Sequence, residues 1–186
     1  MVGVFCYIKH MEMLDILDSE GKATGKTKSR KEVHQKGLWH KSVHIWIINK
    51  KGDILLQKRS MKKESNPGKW DISVAGHLSA GQTSIEGALR EIGEEIGLKI
   101  DSEELRSLGT IRIQRILNEG TYINNEFDDV YLLEKDIDLS KIKLQEEEVE
   151  KIEFVSPEQL KKMADSMDPA LVDHKEEYDL LFRSIV

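Results

Sequence analysis

Arg90, Glu91, Glu94 and Glu95 lie within one short acidic run. Residues three and four apart share a helix face, so the three carboxylates would crowd one surface. Like charges so placed repel one another, and helix propensity does not explain them. A hard divalent cation does, because Mg²⁺ takes carboxylate oxygens and substrate phosphates together. Most acidic helix faces are simply solvated; the spacing here argues for a bound cation and a phosphorylated substrate.

The elements needed to hold that run can be read around it. Thr83 and Glu86 have capping-box spacing and predict a helix start. Ile85, Ala88, Leu89, Ile92 and Ile96 recur at helical spacing as one apolar stripe. Gly97 stands where a left-handed cap would end the helix. Asp71 to Ala75 reads as a short strand delivering the chain into Gly76, where backbone must approach closely.

The stretch from Gly76 to Leu98 resembles the Nudix box, G-x5-E-x7-R-E-U-x-E-E-x-G-U with U apolar. Gly76, Arg90, Glu91, Ile92, Glu94, Glu95, Gly97 and Leu98 match in register, and Gln82 stands where the pattern has its first glutamate. The resemblance implies an α/β fold, an α/β/α sandwich with a mixed sheet and the box helix. It implies hydrolysis of a nucleoside- or prenyl-diphosphate-type substrate by metal-activated water. Glu91, Glu94 and Glu95, with the Gly76 carbonyl, would hold Mg²⁺ or Mn²⁺. Glu94, Glu95 and Arg90 would carry the catalysis, Arg90 by steadying a box glutamate. Glu146, Glu147 and Glu148, just before a late strand, are further candidates for activating water.

A wider resemblance, over residues 12 to about 155, is to the branch that includes type I isopentenyl-diphosphate isomerase. His34 and His40 match its two N-terminal histidines, Trp70 to His77 its W-x-x-x-x-C-G-H, and Asn124 to Glu126 its E-x-E. That resemblance implies a second metal site, for Zn²⁺ or Mn²⁺, at His34, His40, His77 and Glu126, with Asn124 in place of a fifth ligand. Arg59, Lys63 and, more loosely, Arg30 match positions that contact substrate phosphates. Ala75 replaces the cysteine that the isomerase uses to move a proton, and alanine cannot titrate. Diphosphate hydrolysis is therefore expected over isomerisation; a non-catalytic diphosphate sensor is the other alternative.

The rest of the chain reads as a mixed sheet with helices. Leu14 to Leu17 is an expected strand, and Lys22 to Lys31 a polar, basic, solvated loop. Gly25-Lys26-Thr27 is not a P-loop, since Glu20 stands where the motif needs a glycine. Val43 to Ile48 and Ile54 to Gln57 are expected to form a hairpin. Leu98 to Ile100 should open a new extended segment. Leu108 to Leu117, Thr121 to Leu133 and Val149 to Val155 read as strands. Ser156-Pro157 should start a helix, and Leu171 to Ile185 should form the last one. Trp39, Trp46 and Trp70 are candidate pocket walls for a base or prenyl group, Trp46 being the best core candidate.

The chain of 186 residues is expected as a single Nudix domain over 11–186, with C-terminal helices over 157–186. Residues 1–10 are expected to be an extension, with Met11 and Met13 as alternative starts. A net charge of −6 disfavours nucleic-acid polymers. No apolar run approaches the ~20 residues of a membrane span. Cys6 is the only cysteine, so a cytoplasmic location is expected. The expected partners are a small-molecule diphosphate and, as a possible assembly, a second copy in a homodimer.

Overall fold

The computed structural model describes residues 12–185; the expected extension, with Cys6 and Met11, lies outside the described residues. Strand β1 (Met13–Leu17) pairs antiparallel with β2 (Ala23–Ser29). Helix α1 (Arg30–Lys36) follows directly. The Ser29 side chain accepts from the Glu32 amide, and Gly37 closes the helix at φ 59°. The basic stretch from Lys22 is thus a strand and a helix start, not a solvated loop. Its polar residues suit an edge strand whose outer face is wet, with Leu14, Ile16 and Val33 forming a small core beneath. Thr27 and Lys26 sit in that ladder opposite Asp15 and Ile16, which leaves no phosphate loop there.

Seven further strands form one mixed sheet: β3 (His40–Ile48), β4 (Ile54–Arg59), β5 (Trp70–Asp71), β6 (Val74–His77), β7 (Leu105–Leu117), β8 (Tyr122–Glu134) and β9 (Val149–Val155). β3 runs parallel to β8, while the other pairings are antiparallel. The expected β3–β4 hairpin holds for one register pair only, Ile48 with Ile54. Beyond it the strands part, β3 pairing with β6 and β4 with β9. Both strands are buried on two faces, so each finds a full ladder elsewhere. Leu98 and Ile100 form no strand; they pack against the core under the box helix.

Helix α2 (Ser84–Ile96) has both arms of the capping box formed, and Gly97 caps it at φ 66°. Ala88, Ile92 and Ile96 are fully buried against Val43, Ile45 and Ile47 on one face of the sheet. Each buried isoleucine contributes roughly 1.5–3 kcal/mol to that docking. Ile85 and Leu89, at the stripe's edge, are only half-buried. The opposite sheet face carries Trp46, Ile48, Val130 and Leu132. It is covered by α3 (Pro157–Asp165) and α4 (Lys175–Ser184) through Leu160, Tyr178 and Leu181. Ser156 caps α3 as expected, with Pro157 at its first turn. The last helix begins only at Lys175: Leu171 instead bridges to Trp70, and the Val172 amide donates to the Trp70 carbonyl. The result is the expected α/β/α sandwich.

Candidate functional site

A cavity of about 270 Å³ opens at one end of the sandwich. Gly76, Arg90, Glu91, Glu94 and Glu95 line one side of it. Gly76 is required there, because a Cβ on it would lie 1.9 Å from Glu91 Oε1. Glu91 and Glu95 are buried, whereas Glu94 is exposed. Arg90 joins them: it meets Glu91 at 2.9 Å and Glu94 at 2.8 Å, and donates to the His77 carbonyl at 2.8 Å. Gln82 Oε1 accepts from Arg90 at 3.4 Å and from the Ser79 amide at 3.1 Å. The neutral amide therefore accepts hydrogen bonds at the position where the box pattern has its first glutamate.

Glu95 receives only neutral donors, Gln57 Nε2 at 3.2 Å and the Ala75 amide at 3.3 Å. Burial, reinforced by the nearby Glu91 charge, pushes its carboxyl up to about 8. Burial likewise pushes Glu91 up to about 7, against the pull of Arg90 and with Glu94 adding to the rise. Three carboxylates thus share one arginine, and Glu95 has no cation in contact, a set of hard oxygens that suits Mg²⁺ or Mn²⁺.

Of the three late glutamates, only Glu148 reaches the cavity, where it pairs with Lys63. Glu146 and Glu147 are exposed, and Glu147 meets only Lys62. Arg30 lines the cavity and pairs with Glu12 at 3.2 Å. Arg59 also lines it, but its guanidinium is committed to Asp71 at 2.8 Å and to the Ser65 carbonyl. The tryptophans do not line the cavity: Trp46 is core, Arg112 covers Trp39, and Lys151 lies over Trp70.

The histidines converge from distant segments. His34 in α1, His40 at the start of β3 and His77 at the end of β6 place one ring nitrogen each within 4.8 Å of the others. His34 and His77 meet Nε2 to Nε2 at 3.2 Å, and Glu126 Oε1 lies 3.1 Å from both His40 Nε2 and His77 Nε2. Asn124 donates to the other Glu126 oxygen. Burial drives His34 down to about 3 and His77 to about 4. His40 is lowered by burial but raised more by its bond and charge pairing with Glu126, a net upward shift. Glu126 is pushed up by burial but held well below the usual range by His40 and His77. Two imidazoles held neutral, with a third beside a carboxylate that a metal could replace as its partner, suit a borderline metal such as Zn²⁺.

Sequence reasoning missed a further polar set on the cavity floor: Ser42, His44, Asp71, Asp128 and His174. A signal was present. His40, Ser42 and His44 alternate along β3, and Glu126 and Asp128 alternate along β8. Residues two apart in a strand share a face. The parallel register places His40 against Glu126 and Ser42 against Asp128.

Residues 38–174 match the NUDIX domain family. Nudix hydrolase 3 of Arabidopsis thaliana is 42% identical over 176 residues, covering 92% of this chain but only 23% of its own length. An isopentenyl-diphosphate delta-isomerase of Serratia proteamaculans is 35% identical over 121 residues, 65% of each chain. The crystal structure of DR0079 from Deinococcus radiodurans superposes with a TM-score of 0.70 at 21% identity, covering 92% of this chain and 98% of that one, and shows the shared fold. Among the described residues no helix is long and apolar enough to cross a membrane. The chain belongs to the Nudix family, in a branch that resembles isopentenyl-diphosphate isomerase.

Proposed function

We propose that this protein is an Mg²⁺-dependent hydrolase of a nucleoside- or prenyl-diphosphate-type compound. The observation that carries this reading is the buried pair Glu91 and Glu95, which with Glu94 have one arginine among three carboxylates and face a cavity that also holds Arg30 and Lys63. Glu91, Glu94, Glu95 and the Gly76 carbonyl would hold the ion, with Mn²⁺ as a substitute. Held there, the ion would supply neutralisation of phosphate oxygens and a lowered pKa for a bound water. Arg90 orients Glu91 and Glu94 through its two ion pairs. Lys63 and Arg30 attract the diphosphate, each already near a carboxylate that substrate can displace. Arg59 acts less directly, by fixing Asp71 in the cavity wall. Glu148, released from Lys63, or Glu95 takes the proton from the attacking water; positioning and charge neutralisation carry phosphoryl transfer.

His34, His40, His77 and Glu126 form a second candidate centre, for Zn²⁺ or Mn²⁺, and His77 and Glu126 of this set line the same cavity. Ala75 lines the cavity with no titrating atom, which favours hydrolysis over isomerisation. The polar lining of the cavity, with Asn66, Asn124 and Gln145, favours a hydroxylated group over a hydrocarbon tail. The test is a panel of nucleoside, sugar and prenyl diphosphates with Mg²⁺, read by product mass. Phosphate or a monophosphate product is expected, lost in Glu94→Gln and Glu95→Gln. Proton exchange between the two five-carbon isomers in D₂O would favour isomerase; ligand-dependent thermal stabilisation without product would favour a sensor.

A further inference from the structure

His44, Asp128, His174 and Glu177 approach one another from β3, β8, the segment before α4, and α4 itself. The box does not use them, and they stand apart from the cluster of His34, His40 and His77. Three of the four have their outer atom tied down. His174 Nε2 lies 2.8 Å from Asp71 Oδ1, and Asp71 is held in turn by Arg59. Glu177 Oε1 accepts from Trp46 Nε1 at 2.8 Å. Asp128 Oδ1 accepts from the Ser42 hydroxyl.

The remaining atoms face each other. His44 Nδ1 is 2.7 Å from Glu177 Oε2 and 3.9 Å from Asp128 Oδ2. His174 Nδ1 is 3.9 Å from the same Glu177 oxygen. Asp128 is 1% exposed, and its Oδ2 has no hydrogen-bond partner among the described residues. An orphaned buried carboxylate oxygen needs an explanation, and an ion supplies one.

We propose that His44, Asp128, His174 and Glu177 form a closed site for a borderline divalent ion such as Zn²⁺, distinct from the box. Two imidazole nitrogens and two carboxylate oxygens are a normal zinc donor set. Ligand atoms on tetrahedral zinc stand roughly 3.3–3.5 Å apart. The 2.7 Å contact of His44 with Glu177 would open and the 3.9 Å contact of His174 with Glu177 would close, while Asp128, which lies outside the group of mutually close ligand atoms, would swing further to join them. The ion would take the place of the proton shared by His44 and Glu177. Asp71 on the outer nitrogen of His174 is the second-layer carboxylate that commonly fixes the tautomer of a metal-bound histidine. Four protein ligands leave no open position, so the role is structural: the site pins α4 and its lead-in segment to two central strands. The competing state is metal-free. In it His44, pulled down by burial but raised further by the Glu177 and Asp128 charges to about 10, is an imidazolium that satisfies Glu177 and leaves Asp128 Oδ2 unpaired.

The test uses the full chain, stripped by chelator, loaded with Zn²⁺ and dialysed, with zinc counted by mass spectrometry. Unaltered protein should retain about one zinc per chain more than His174→Gln and Asp128→Asn. Zinc should raise Tm more in the unaltered chain than in either variant. His77→Gln should lose the other cluster's zinc and keep this one. Equal retention by the unaltered chain and His174→Gln would overturn the proposal. Because a buried variant can misfold, crystals of the unaltered chain soaked in Zn²⁺ give a second reading at the zinc edge. An anomalous peak among the four ligands supports the site; its absence there rejects it.

Discussion

The box helix and the histidine clusters both hold buried carboxylates and treat them oppositely. At the box helix, burial and like charge push Glu91 and Glu95 up, and only Arg90 opposes the rise in Glu91 from close range. At the two histidine clusters, burial also acts on Glu126 and Glu177, yet imidazoles hold both below the usual carboxylate range. At the box, three carboxylates share one arginine and so call for a cation from solution. The histidine clusters carry counter-charge in their own side chains. The lesson is that acidity alone does not mark a metal site; the state of the partners does.

The largest test of that contrast is Gly76→Ala. The added methyl must displace the Glu91 carboxylate, and kcat with Mg²⁺ should fall about 10²-fold or more, with the fold intact by circular dichroism. Unchanged turnover would mean Glu91 is not placed by that close approach. Next comes Glu126→Gln, which leaves His40 and His77 without their carboxylate. A buried pair broken on one side costs about 3–5 kcal/mol, so urea midpoints should drop sharply with or without Mg²⁺. A loss seen only with Mg²⁺ present would merge the two regions into one.

A smaller effect should appear in the pH profile of stability. Glu91 and Glu95 have folded values, about 7 and about 8, above the ordinary carboxylate range. Their stabilisation is present below that ordinary range and is lost as pH rises through 7 to 8. His34 and His77 lie low, at about 3 and about 4, so their contribution is lost as pH falls below about 6.5. Without metal, Tm should therefore decline from pH 6.5 to 8.5, and Mg²⁺ should reduce that decline because it binds the deprotonated carboxylates. A flat metal-free profile over that range would remove the distinction. The smallest effect is expected from Gln82→Glu. A new charge beside the half-buried Arg90, which already pairs with Glu91 and Glu94, is worth about 1 kcal/mol, so kcat should change no more than about fivefold.

Legibility followed sequence distance. The box helix, its caps and its glutamates were readable because a helix repeats over a few residues and Thr83, Glu86 and Gly97 mark its ends. The strands β7, β8 and β9 were readable from alternation and turn residues. The β2 edge strand was not, because a wet strand carries no apolar signal. The β3–β4 hairpin was over-read, since a turn fixes proximity at Ile48 and Ile54 but not which neighbours complete each ladder. Arg59 and the tryptophans look like binding groups in sequence; in space Arg59 serves Asp71, and the tryptophans serve the core and the surface.

The sequence alone determined the acidic helix, its register against Gly76, and the family to which the chain belongs, because all of these are written in short-range spacing. Tertiary structure alone decided which carboxylates are buried and which histidines meet. It also decided that Asp128, His174 and Glu177 gather around His44. Those groups come from strands and a helix far apart along the chain, and only sheet register and helix docking set the few ångströms on which their chemistry depends.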